Sequence, residues 1–125
     1  MHALLVTTVT GGNSGIGTET ARVLALQGCN VIITSRKADA AEKAIADMEA
    51  ANAAVEKTDD APAPGSLSYV TVDLGDLDTI KPCGDGIVEK TQKVDFLVCN
   101  AGVMRTPYQK TKQNLEMQIG KVMLV

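Results

Sequence analysis

The sequence predicts an α/β fold, a doubly wound parallel sheet of four strands in the order 3-2-1-4. Three observations lead to it. Short apolar runs rich in β-branched residues alternate with stretches whose apolar residues recur at helical spacing. Such alternation requires a parallel sheet with helices on its faces. A glycine-rich segment, Thr10-Gly11-Gly12-Asn13-Ser14-Gly15-Ile16-Gly17, separates the first run from the first helical stretch, and Asn100-Ala101-Gly102 follows the fourth run directly.

The first strand is expected from Leu4 to Val9, and the first helix from Ile16 to Gln27, ended by Gly28 in a left-handed cap. Asn30 to Thr34 forms the second strand. The second helix is expected to start near Asp39, with Glu42 as a capping-box partner and Ala41, Ile45, Met48 and Val55 on one face. Lys57 to Ser66 carries Asp59, Asp60, Pro62, Pro64 and Gly65, so it reads as a surface connection. Ser68 to Val72 is the third strand. Asp76 or Asp78 can cap a third helix reaching about Gln92, although Pro82, Gly84 and Gly86 weaken it. Val94 to Cys99 is a strongly apolar fourth strand, and a last helix is expected from about Thr111, aligning Leu115, Ile119, Val122 and Met123. Right-handed crossovers then place the first and fourth strands side by side, where the winding reverses and where ligands bind in such sheets.

The chain of 125 residues reads as a single domain; it is 45% apolar and carries a formal net charge of −3. No basic cluster marks a nucleic-acid footprint, and no apolar run reaches membrane-spanning length. With no charged-then-apolar leader at Met1-His2-Ala3, a cytoplasmic location is expected. Cys29, Cys83 and Cys99 lack metal-ligand spacing, so free buried thiols are expected, and the single histidine, His2, has no expected role as a ligand or base.

The glycine-rich segment carries the chemistry. A pyrophosphate can rest at the amino terminus of the helix that follows it, where unpaired N–H groups and the helix dipole favour negative charge. Glycines there let a ligand approach the backbone and the helix approach the strand. Ser35-Arg36-Lys37 closes the second strand without an acidic residue. Arg36 and Lys37 could accommodate a 2′-phosphate, unless they are ordinary solvated charges, and NADP(H) is therefore favoured over NAD(H).

The Thr-Gly-x-x-x-Gly-Ile-Gly pattern resembles the cofactor fingerprint of the short-chain dehydrogenase/reductase family, and Asn100-Ala101-Gly102 resembles its Asn-Ala-Gly signature, with Cys99 where a further asparagine is usual. The resemblance implies a Rossmann-type fold and a dinucleotide cofactor held by Gly11, Asn13, Ser14, Gly15, Ile16 and Gly17. It also implies that Asp73 and Leu74 hold the adenine ring, while Asn100, Ala101 and Gly102 pass close to the cofactor. Pro107 to Glu116 resembles the variable stretch of retinol-dehydrogenase-like members.

Catalysis in that family, by resemblance, uses a serine and a Tyr-x-x-x-Lys pair in which the ammonium makes the tyrosine more acidic. Tyr108 and Lys112 have that spacing, but they lie only a few residues beyond Gly102 with no intervening strand, so no catalytic residue is assigned. After Gly120 the resemblance stops. The expectation is therefore a truncated member carrying the cofactor-binding half, inactive by itself and open to association along the outer edge of strand four. Such a chain is also expected to be marginally stable. Three readings follow: an oxidoreductase acting on an alcohol or carbonyl substrate, a non-catalytic dinucleotide-binding or interaction fragment, and a nucleotide-binding scaffold unrelated to redox chemistry.

Overall fold

A computed structural model describes residues 4–122. Four parallel strands, β1 (Val6–Val9), β2 (Asn30–Ser35), β3 (Leu67–Thr71) and β4 (Phe96–Val98), form one sheet in the order β3-β2-β1-β4. Helices α1 (Gly15–Leu26), α2 (Ala38–Ala53), α3 (Ile80–Lys90) and α4 (Met117–Val122) lie between or after them. The predicted strand order and the reversal between β1 and β4 are those observed. β1 pairs Val9 with Ile33 of β2 on one side and with Val98 of β4 on the other, so its carboxyl end is the crest of the sheet.

The main core lies between the sheet and the α1–α2 layer. Val9, Val31 and Ile33 meet Ala21 and Ala25 of α1 and Ala41, Ala44 and Met48 of α2. Small alanines on both helices let their axes sit close to the strands, and Met48 fills the space they leave. Arg22 of α1 donates to Asn52 Oδ1, and Asn52 Nδ2 returns a bond to the Arg22 carbonyl, which ties the two helices together. A smaller cluster of Val72, Leu74 and Cys83 packs where β3 leads into α3.

Several predicted boundaries move, each for a local reason. β1 begins at Val6, where Asp95 Oδ2 accepts the Val6 N–H, so Leu4 and Leu5 remain exposed before it. The capping box at Asp39 and Glu42 does not form. Lys37 occupies the cap position without a side-chain bond, and Glu42 accepts the Tyr69 hydroxyl instead. Val55 falls beyond the end of α2 and is exposed, whereas Asn52 completes the buried face. Asp76 is the cap before α3, accepting the Asp78 N–H, but it caps a short 3₁₀ turn (Leu77–Thr79), and the helix stops at Lys90. Gly28 has a φ of +91°, as the left-handed cap requires.

The last part of the chain departs most. β4 has three residues rather than six, and Phe96 and Leu97 are exposed, because β4 is the outer strand of the sheet. α4 starts at Met117, not Thr111. Thr111 instead closes a turn in which its hydroxyl accepts the Leu115 N–H and Lys110 bridges to Glu116, with Asn114 at a φ of +65°. The thiols are free, but only Cys83 is buried; Cys29 is half-buried and Cys99 exposed, since it leaves β4 at the sheet edge. His2 and Met123 lie outside the described residues.

Candidate functional site

The site is built on the crest, where the loops leaving β1 and β4 meet. Thr10 joins them: its Oγ1 accepts the N–H groups of Asn100 at 3.0 Å and Ala101 at 2.9 Å. Asn100 answers by donating from Nδ2 to the Thr10 carbonyl at 2.9 Å. Residues some ninety positions apart are thereby fixed in one rigid corner. Thr34 Oγ1 of β2 accepts the Gly11 N–H and Thr18 donates to the Gly12 carbonyl, which orients the rest of the turn.

Two glycines in this corner cannot carry side chains. Gly17 is buried, and a Cβ there would strike the Gly11 carbonyl oxygen and come within 2.5 Å of Asn100 Nδ2. Gly11 has a φ of +64°, and its Cβ would sit 3.0 Å from Ala101 Cα. The two loops and the start of α1 thus touch through bare backbone. The α1 cap, Ser14, makes no side-chain bond, and the first amide bonded back within the helix is that of Thr18, to Ser14. The amides before it lie at the positive end of the helix dipole.

Above the corner opens a cavity of about 520 Å³, within the size range of small-molecule sites. Of the sequence-predicted residues, Gly11, Asn13, Ser14, Ile16 and Gly17 line it from the glycine turn. Arg36 and Lys37 line it from the end of β2, Leu74 from beyond β3, and Asn100, Ala101 and Gly102 from beyond β4. All the predicted segments therefore face one space. Gly15, at a φ of +54°, and Asp73 stand outside its lining. Asp73 Oδ1 instead accepts the Gly75 N–H at 2.8 Å, shaping the turn that presents Leu74.

Ser35 Oγ donates to the Lys37 carbonyl and receives the Lys37 N–H, so the turn that presents Arg36 is braced from within. Both cationic side chains are exposed toward solvent at the cavity mouth. Sequence reasoning missed the roles of Thr10 and Thr34, and it missed Lys121, which also lines the cavity. The threonine immediately before the first glycine was the available signal for Thr10. Lys121 enters through α4, whose position the sequence pattern misjudged.

Tyr108 and Lys112 lie elsewhere. Tyr108 is exposed and absent from the cavity lining, while Lys112 pairs with Asp76 and Asp78 at 3.0 and 2.8 Å. The hydrogen bonds it donates to Asp78 and Asp76 raise the pKa of its ammonium. The carboxyl of Asp76 is lowered in turn, first by Gln113 and then by Lys112. This cluster fastens the loop ahead of α4 to the turn after β3. Among the described residues no group of His, Cys, Asp and Glu could hold a metal ion.

The parallel sheet with its reversal between β1 and β4, and a glycine turn facing the loop beyond β4, define a Rossmann-type domain. The family profile of short chain dehydrogenases matches residues 5–125, and the chain belongs to that family. It is 37% identical over 112 residues to human retinol dehydrogenase 13, covering 90% of this chain and 31% of the relative. Mouse retinol dehydrogenase 11 is 34% identical over 116 residues, covering 92% of this chain and 33% of the relative. The chain thus spans about a third of the length of these relatives.

Solved structures agree. A crystal structure of an uncharacterised Mycobacterium paratuberculosis protein superposes with a TM-score of 0.77 at 33% identity, covering 98% of this chain and 38% of that one. A metagenomic short-chain oxidoreductase in complex with NADP gives a TM-score of 0.63 at 29% identity, covering 79% of this chain and 39% of that one. Among the described residues no helix is long and apolar enough to cross a membrane.

Proposed function

We propose that this chain is the dinucleotide-binding part of an NADP(H)-dependent oxidoreductase acting on an alcohol or carbonyl substrate. One observation carries the reading: the glycine turn, the Asn100-Ala101-Gly102 loop and the Arg36–Lys37 turn line a single cavity. The fit to such a ligand is supported by the bare-backbone corner at Gly11 and Gly17, which leaves room for a diphosphate against main-chain amides. When bound, a nicotinamide dinucleotide supplies a hydride donor or acceptor. The chain's own part is to grip and orient. The α1 amides would hold the diphosphate, Arg36 and Lys37 a 2′-phosphate, and the Asp73–Leu74 turn the base.

Tyr108 and Lys112 point to a second reading for the 125 residues alone, namely binding without turnover. Lys112 is committed to Asp76 and Asp78, and Tyr108 stands away from the cavity, so neither is offered as a proton donor. A cytoplasmic setting is supported by three free thiols, as is usual in a reducing compartment.

The test is a fluorescence titration of the purified chain with NADPH and NADH. NADPH is expected to bind about tenfold or more tightly, a margin of about 1.4 kcal/mol set by charge-assisted bonds to the extra phosphate. Arg36→Ala should erase most of that margin. Equal affinities in the unsubstituted chain would remove the role given to Arg36, and no binding of either would remove the whole reading. NADPH oxidation with an aldehyde, abolished in Tyr108→Phe, would overturn the second reading.

A further inference from the structure

Lys121 belongs to none of the motifs that carry the family resemblance, yet its side chain is only 13% exposed and lines the cavity beside Val72 and Leu74. Its stem runs against the turn after β3: Lys121 Cε lies 3.2 Å from the place a Cβ on Gly75 would occupy. Its ammonium is 3.9 Å from Asp73 Oδ1, too long for a hydrogen bond, and that oxygen already accepts the Gly75 N–H at 2.8 Å. Among the described residues the covered ammonium makes no hydrogen bond, so its donors remain for the cavity that the side chain lines.

Resting on the dinucleotide reading above, we propose that Lys121 is a ligand-contacting residue that forms one wall of the slot taking the nucleotide base. Val72 and Leu74 supply the apolar floor. The lysine stem covers the base from the α4 side, and the ammonium, drawn toward Asp73, lies over the ring as a cation on a π face. The Asp73–Leu74 turn would then act in two ways, with Leu74 touching the base and Asp73 steering the lysine. Position 121 thereby becomes a determinant of how tightly the base end is held, separate from the choice between phosphorylated and unphosphorylated cofactor at Arg36.

The experiment is calorimetric titration of the 125-residue chain, unsubstituted and as Lys121→Met and Lys121→Arg, with NADPH, 2′,5′-ADP and ADP-ribose. Lys121→Met keeps the stem and removes the charge. It is expected to weaken all three ligands by a similar factor, about three- to tenfold, while Lys121→Arg stays within about twofold. If the Met variant does not unfold cooperatively, Lys121→Gln makes the same charge removal. Unchanged affinity in the charge-removed variant would overturn the proposal. A loss seen with NADPH and 2′,5′-ADP but not with ADP-ribose would also overturn it, by moving the ammonium to the 2′-phosphate. Failure of the unsubstituted chain to bind any of the three ligands would instead overturn the dinucleotide reading, and this inference with it.

Discussion

The two flanks of β1 are built differently. On the β2–β3 side, Val9, Val31 and Ile33 are sealed under α1 and α2, with Met48 only 1% exposed. On the other side β4 is three residues long and ends the sheet, and Leu97 is 61% exposed. Yet the cavity takes residues from both flanks. A firm half thus supplies the glycine turn and the cationic turn, and a lightly packed half supplies the facing loop through a few directed hydrogen bonds. The walls of the crevice come from both halves, although most of the burial belongs to the first.

The largest contrast is expected from core truncation. Met48→Ala should lower unfolding free energy by about 2–5 kcal/mol, whereas Leu97→Ala should stay within about 0.5 kcal/mol. Denaturant unfolding of the two variants measures the difference directly, and similar losses would mean that β4 is more deeply packed than its exposure indicates. Next comes Gly17→Ala, where a new methyl meets the Gly11 carbonyl and Asn100; a loss of about 1–3 kcal/mol is expected, with dinucleotide binding weakened beyond it. Retained NADPH affinity in that variant would break the link between the corner and the site.

Thr10→Val sharpens the comparison, because it keeps shape in the firm half while orphaning two amides of the other. Leaving the Asn100 and Ala101 N–H groups without their acceptor should cost about 1–3 kcal/mol, and it should raise hydrogen exchange at those two amides but not along β2. A pH effect follows at the β4 entrance. The Asp95 carboxyl is held below its ordinary pKa by Lys93 first and by the Val6 N–H second. A depressed folded-state value means its contribution is complete above the unfolded carboxyl pKa of about 3.9 and is lost as pH falls through the folded value. Acid unfolding below about pH 4 should therefore flatten in Asp95→Asn, while the slope at neutral pH stays unchanged. The smallest effect on stability is expected from Leu97→Lys, which should leave the unfolding midpoint in place and reduce self-association in light scattering at high protein concentration.

How much of this was legible in the sequence follows the same division. β2, β3 and the glycine turn were readable because β-branched runs and glycine spacing are local signals, and strand order followed from the handedness of crossovers. The end of the chain was less so: Lys112 and Gln113 are held by Asp76 and Asp78, more than thirty positions earlier, and Thr111 used its hydroxyl to close a local turn on Leu115 rather than open a helix. In α2, Glu42 left the expected capping box for Tyr69. At the site, the cavity-lining segments were recognisable as motifs, while the partners of Thr10 some ninety positions away and the place of Lys121 in the cavity lining are set by tertiary packing. Asp73 illustrates the limit in the other direction: its motif was visible, but its bond to the Gly75 amide and its stand beside Lys121 became apparent only in three dimensions.

The Thr10–Asn100 clasp also bears on the order in which the molecule assembles. Its bonds span 90 positions of chain, so the chain as far as Asn100 must be present before the corner can shut, and the entropy of closing so long a loop is met only at that moment. A nascent chain can build the β1–α1–β2 unit early but has no finished crevice. Any small molecule that prefers the shut corner then draws the population toward the completed state, by an amount that grows with the logarithm of its free concentration. Supply of that molecule in the cell would thus shift the fraction of copies whose corner is shut.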